Sequence, residues 1–148
     1  MGRIEESVEV SAPLDTVYEQ WVRCEEFPRF MRGVVSVDVD GPGGSTWVVR
    51  TAAGRREFEA VTTEVVPGER VAWDGGDGPV RHSGVVTFHQ VDDRRTRLML
   101  QLEIEPHGVW EHVAEALGFV DRRVIDDLAD FKRHVEETAG PAGAQGAA

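Results

Sequence analysis

Apolar residues recur in steps of three and four from Val109 to about Glu137: Trp110, Val113, Leu117, Val120, Val124, Leu128, Phe131 and Val135. That spacing puts one apolar stripe on a helix. Glu111, Glu115, Arg122, Asp126, Arg133 and Glu137 keep a similar rhythm on another side. The stretch would be about 43 Å long at 1.5 Å per residue. Gly140-Pro141 predicts its end, and residues 139–148, rich in Ala and Gly, are expected to form a flexible tail. No other segment is helical for so long; most of what precedes reads as strands.

Ile4 to Val10 alternates, with Ile4, Glu6, Val8 and Val10 on one face and Glu6 as its polar exception. Ser11-Ala12-Pro13 predicts a helix start with Ser11 as N-cap. Leu14, Val17, Tyr18, Trp21 and Val22 continue it to about Arg23 or Cys24. Pro28 suits the first turn of a second short helix, on which Phe27, Phe30 and Met31 crowd together before Gly33 ends it. Strands are then predicted at Val34–Val39, Thr46–Thr51, Arg56–Val66, Arg70–Asp74, Val80–Val91 and Thr96–Glu105. Turn residues separate them, with Pro67-Gly68 the strongest signal.

Parity along the strands sorts side chains into faces. Trp47, Val49 and Thr51 share one; so do Phe58, Ala60, Thr62 and Glu64; so do His82, Gly84, Val86 and Phe88; so do Leu98, Leu100, Leu102 and Ile104. Short connections make the sheet antiparallel, because parallel neighbours need long crossovers. Helices on one face of such a sheet define an α+β fold. Six or seven twisted strands curl. A curled sheet crossed by a straight helix encloses a space.

The length of 148 residues fits a single domain, expected to span residues 1–138. A net charge of -11 argues against a nucleic-acid partner, which requires a basic surface. No run of 18 apolar residues exists to span a membrane, and the opening Met1-Gly-Arg-Ile-Glu-Glu6 lacks the apolar run of a signal peptide. The cytoplasm is the expected location. Cys24 is the sole cysteine, so no internal disulfide can form. Nothing in the sequence calls for a cofactor. No His, Asp and Glu set has metal-ligand spacing, and HExxH, GxSxG, GxGxxG and a P-loop are all absent.

Val8-Glu-Val-Ser-Ala-Pro13, Val17-Tyr-Glu-Gln-Trp21 and Glu26-Phe-Pro-Arg-Phe-Met31, followed by Gly84-Val-Val-Thr-Phe88, Thr96-Arg-Leu98 and the terminal helix, resemble the SRPBCC or START-like superfamily. Within it they are closest to the polyketide cyclase/dehydrase and coenzyme-Q-binding branch of small bacterial proteins. The resemblance covers residues 3 to 137. It implies a helix-grip fold, a curved antiparallel sheet wrapped around the C-terminal helix with a deep apolar pocket between. It implies a small hydrophobic ligand such as a lipid, a polyketide or a quinone-like molecule. Two other activities remain open: a polyketide cyclase/aromatase-like or dehydratase-like enzyme, and a module that binds a protein partner through an exposed apolar patch at Phe27 to Met31. Aromatase/cyclase members place polar groups in the pocket, whereas the only tyrosine here, Tyr18, falls in the first helix.

In that family the entrance helices and inward strand faces border the pocket. The resemblance therefore implies Phe27, Phe30, Trp47, Phe58, Trp73, Phe88 and Leu100 as ligand-facing, against the ordinary alternative of core packing. Gly118 inside the long helix costs about 1 kcal/mol relative to Ala, which suggests a bend or room for a ligand beside Leu117 and Val120. His82 has the parity of Phe88, so it is either an inward polar anchor, a general acid/base, or a rim histidine in water. Glu64 has the parity of Phe58 and is read as facing the concave side near a strand end, as a pocket acid or a solvated rim group, with Arg50 and Arg56 as candidate ion partners. His89 has outward parity; His107, His112 and His134 are expected to be exposed on or near the helix.

Overall fold

The structure, a computed structural model, describes the backbone of residues 2–51, 54–75, 80–106 and 113–147, and the side chains of 3–50, 54–75, 82–104 and 121–138. Strand β1 (Gly2–Val10) leads into helix α1 (Leu14–Val22) and a 3-10 helix (Cys24–Arg29). Six strands follow: β2 (Val34–Val39), β3 (Gly44–Thr51), β4 (Gly54–Val66), β5 (Arg70–Gly75), β6 (Val80–Asp92) and β7 (Arg95–Pro106). Helix α2 (Val113–Ala147) closes the chain. The fold is α+β, one antiparallel sheet with a long C-terminal helix, as the strand periodicities and the terminal stripe predict.

The seven strands form one sheet in the order β1-β7-β6-β5-β4-β3-β2. Every neighbouring pair is antiparallel. β2 to β7 follow one another as hairpins, while β1 pairs with β7 and so joins the two ends of the strand sequence. Turn chemistry sets the hairpins: Gly68 takes φ 73° after Pro67. Asp92 accepts from the Arg94 N–H and the Arg95 Nε, both at 2.8 Å, and these contacts hold its carboxyl below the usual range. α1 and the 3-10 helix carry the chain from one sheet edge, β1, to the other, β2.

Two helix ends differ from expectation. Ser11 does not cap α1; Pro13 occupies the N-cap position and no side chain bonds there. The Ser11 N–H instead donates to Glu136 Oε2 at 2.7 Å, fastening the β1–α1 turn to α2. The stop predicted at Gly140-Pro141 is not where α2 ends. Proline's φ is itself helical, so the backbone can run through Pro141, at the cost of a hydrogen bond and a ring contact with the carbonyl four residues back, together about 3 kcal/mol.

The concave face carries the core. Val10, Val86, Phe88, Leu98 and Leu100 from the sheet are buried with Val17, Phe27, Met31, Val34 and Val37, under Val124, Leu128, Phe131 and Val135 of α2. The predicted stripe is therefore buried along this part of the helix. Glu6, the polar exception on β1, stands opposite Leu100 and meets Asp121 of α2. The shared hydrogen bond raises the Glu6 pKa, with smaller contributions from burial and from the Asp121 charge.

The other side of α2 holds an unforeseen set of contacts. Asp130 is 1% exposed. It accepts from the Arg32 backbone N–H at 3.1 Å, from the Arg32 guanidinium at 3.2 Å twice, and from Arg133 Nη2 at 2.7 Å. Asp127, one turn back, accepts from the Gly33 N–H at 3.1 Å. Two successive backbone N–H groups of the turn before β2 are thus held by two carboxylates. Gly33 is required for space: a Cβ there would lie 2.8 Å from both Asp127 oxygens and 2.9 Å from Arg123 Nε.

Burial drives the Asp127 pKa from 3.8 up to about 6, against the opposing pull of the Gly33 N–H and Arg123. A carboxyl raised on folding contributes stability that is full below its unfolded pKa and is lost as pH rises through its folded pKa. Between about pH 4 and 6 this group should therefore lower the unfolding free energy by on the order of 2–3 kcal/mol. Asp127→Asn keeps an acceptor for Gly33 and removes the titration. In urea unfolding across that range, the variant should gain on the wild type as pH rises. A flat or falling difference curve would contradict the assignment.

Candidate functional site

The concave face divides into two halves. In one, side chains of α1, the 3-10 helix and α2 fill the space between helix and sheet. In the other, large rings point inward yet stay half-buried: Trp47, Phe58, Trp73 and His82, with Leu102 beside them. Register explains why they share a face. Trp47 pairs with Phe58, Thr62 with Trp73, Trp73 with Gly84 and Gly75 with His82. Directly paired residues on antiparallel strands project to the same side of the sheet.

The rings form a connected path from the core into this open half. Phe131 of α2 lies 6.2 Å from Phe27, and Phe27 lies 5.9 Å from Trp47. Trp47 stacks on Phe58 at 6.0 Å with planes 9° apart. Phe58 meets His82 edge-on, at 4.7 Å and 87°. The Trp47 Nε1–H is satisfied within its own strand by Ser45 Oγ at 2.9 Å, so the indole face is left free of that polar demand.

His82 is the polar group of this half. Burial lowers its pKa, and the charge of Asp74 opposes that shift only in part. The imidazole is therefore neutral at neutral pH and offers one donor and one acceptor. The ring is half-buried rather than free in water.

The residues named from sequence do not all come together. Trp47, Phe58, Trp73 and His82 share the open half. Phe27, Phe88 and Leu100 are buried in the filled half, and Phe30 is half-buried at its outer end. Because Phe27 and Met31 are buried, that segment does not present the exposed apolar patch expected of a partner surface. The side chains of Leu117 and Val120, with Gly118 between them, lie outside the described residues, as do Trp110, Phe119, His107 and His112.

Glu64 does not face the concave side. The pairing of β4 with β5 slips between Thr62 and Glu64, so one extra residue reverses the parity. Glu64 then stands opposite Ala72 on the outer face, half in water, and pairs with Arg70 at 3.1 Å rather than with Arg50 or Arg56. His134 also departs from expectation. It is half-buried and stacks on Phe30 at 3.9 Å and 5°. His89 is exposed on the outer face, as predicted, with Nε2 3.2 Å from Thr87 Oγ1.

Two further features bound the chemistry. Among the described residues, no group of three or more His, Cys, Asp or Glu side chains is arranged to hold a metal ion. No helix among them is long and apolar enough to cross a membrane.

Comparison with known proteins places this geometry among relatives. The model of the family described as polyketide cyclase / dehydrase and lipid transport matches residues 10–133. An uncharacterised 17.2 kDa protein of Streptomyces lincolnensis, from the melC2-rnhH intergenic region, is 42% identical over 143 residues, covering 97% of this chain and 95% of its own. Among solved structures, the Zhui aromatase/cyclase from Streptomyces sp. R1128 superposes with a TM-score of 0.80 at 19% identity, over 91% of this chain and 93% of that one. A START superfamily protein from Mycobacterium smegmatis gives 0.76 at 14% identity, over 92% and 98%. At such identities the two structures speak to the fold.

Proposed function

This chain belongs to the polyketide cyclase / dehydrase and lipid transport family, and from that premise we propose that it binds a small, mostly apolar molecule between the open half of its sheet and α2. The ligand is a lipid, polyketide or quinone-like compound, held for sequestration or transfer. Residues 1–138 act as one ligand-binding unit. The observation that carries this reading is the group Trp47, Phe58, Trp73 and His82: large inward-facing rings left half-buried beside a filled core. A fold that can bury Phe27 and Phe131 completely has the means to bury these as well. Ligand sites combine such apolar walls with a few placed polar groups.

Binding would follow from desolvation. Apolar surface removed from water contributes about 25 cal/mol per Å², less the cost of immobilising the ligand. The neutral His82 ring would orient the ligand by hydrogen-bonding an oxygen on it. Native mass spectrometry of the purified protein, with extraction of whatever copurifies, should return a lipophilic compound. A panel of fatty acids, quinones and aromatic polyketides should contain ligands with Kd below about 10 μM, equivalent to roughly -7 kcal/mol. If nothing in the panel binds at that strength and nothing copurifies, the reading fails.

His82 favours one second reading, a cyclase-like or dehydratase-like enzyme using the same cavity. A half-buried imidazole with a lowered pKa is suited to accept a proton from an activated carbon or hydroxyl at neutral pH. His82→Gln separates the two. In a binding protein it changes affinity modestly. In an enzyme it lowers turnover of a poly-ketone substrate about 100-fold or more and removes the acid limb of the pH profile.

A further inference from the structure

We propose that Gly75 and Gly84 set the depth of the cavity, because each leaves to an aromatic ring of the facing strand the space that its own side chain would fill. The proposal rests on the binding reading above and names the positions that select ligand thickness. In the β5–β6 register, Trp73 stands opposite Gly84 and Gly75 opposite His82. The two pairs are reciprocal: β5 supplies the ring and β6 the glycine in the first, and the roles exchange in the second.

Space accounts for both glycines. Neither adopts positive φ, which is confined to Gly41, Gly43, Gly54 and Gly68 among the described glycines. A Cβ on Gly84 would collide with the Trp73 indole and lie 2.8 Å from Leu102 Cδ2. A Cβ on Gly75 would collide with the His82 imidazole, 2.6 Å from its Nε2. Each ring therefore occupies the volume that a side chain on the facing strand would fill. The two rings make a floor, and Phe58 stands perpendicular to His82 at its side with Trp47 stacked behind.

A methyl group at either position has to lift a ring off the sheet, since a packed interior absorbs a new carbon only by moving its neighbours. The lifted ring takes headroom from the cavity. A thick molecule loses more from this than a flat one. Removing the ring does the reverse.

Calorimetric titration with 1-adamantanol and 2-naphthol tests this. The two probes have equal carbon counts and one hydroxyl each, but one is a cage and the other a plane. The readout is the ratio of adamantanol to naphthol affinity. It should fall about tenfold in Gly84→Ala and rise about tenfold in Trp73→Leu, the scale of one methylene in an apolar pocket. In the double variant it should stay within about threefold of the Trp73→Leu value, because without the indole the added methyl has no ring to lift; a return to the wild-type ratio would mean that the two changes act independently. An unchanged ratio in both single variants overturns the proposal, as does a double variant that retains the Gly84→Ala defect. Trp73→Leu keeps the test decisive should Gly84→Ala not fold. Failure of the wild type to bind either probe overturns the cavity reading itself, a result distinct from binding without discrimination.

Discussion

Phe131→Ala should cost about 3–5 kcal/mol of stability, the range measured for truncating fully buried rings. Phe131 has no exposed surface. Its ring lies 5.3 Å from Trp21 at 77°, 6.2 Å from Phe27 and 6.3 Å from Phe30. It is the point at which α2, α1 and the 3-10 helix meet. Deleting it removes edge-to-face contacts as well as buried area and leaves a cavity that three separate elements would have to collapse to fill. Domains of this size are stable by about 5–15 kcal/mol, so the loss is a large fraction of the whole. The midpoint of thermal unfolding should drop by about 10–15 °C. Phe131→Leu should cost distinctly less, because most of the volume is kept. A loss below about 1.5 kcal/mol for the alanine variant would place the centre of the core elsewhere.

Asp130→Ala should cost about 2–4 kcal/mol, from polar contacts rather than from packing. The carboxylate is nearly inaccessible, yet it is the acceptor for a backbone N–H, for both arms of the Arg32 guanidinium and for Arg133. Arg32 itself is 70% exposed, so removing Asp130 returns that cation to water and strands little charge. The larger penalty falls on the part-buried Arg32 N–H and on the turn that Asp127 alone would then hold. Asp130→Asn keeps the shape and one acceptor and should recover roughly half of the loss. Urea unfolding measures both variants. If Asn and Ala prove equally damaging, the charge matters and the shape does not; if neither costs more than about 1 kcal/mol, the contacts are incidental.

Much of the fold is legible in local periodicity. The alternation of Ile4 to Val10, the β-branched run Val34–Val39 and the inward Leu98-Leu100-Leu102 set each mark a strand that the structure contains. The stripe Val124, Leu128, Phe131 and Val135 is buried in its entirety. Even the misfit was visible: Glu6 on an apolar face meets an acid on the helix above it. The failures occur where a contact crosses the molecule. Alternation along β4 points Glu64 inward, and a single extra residue after Thr62 inverts the alternation. Asp127 and Asp130 carry no local signal of burial, because their partners Gly33 and Arg32 lie 94 and 98 positions away. His134 gains its cover from Phe30 in the same manner.

The open half was legible only in part. Parity put Phe58, His82 and Phe88 on inward faces, yet parity does not say which inward side chains a helix will cover. Phe88 is fully buried and Phe58 only in part. Gly75 reads as part of a turn, whereas it ends β5 facing His82 and makes room for that ring.

By itself the sequence determined the elements, their order and the facing of most strands, because side-chain direction in a helix or strand follows from the backbone one residue at a time. Tertiary structure alone decided which half of the concave face is filled, which acids of α2 are buried and where Glu64 points. Those outcomes depend on volumes and partners brought together by the closure of β1 onto β7 and by α1 and the 3-10 helix crossing between the sheet edges. No local pattern encodes the distance between residues that are remote along the chain.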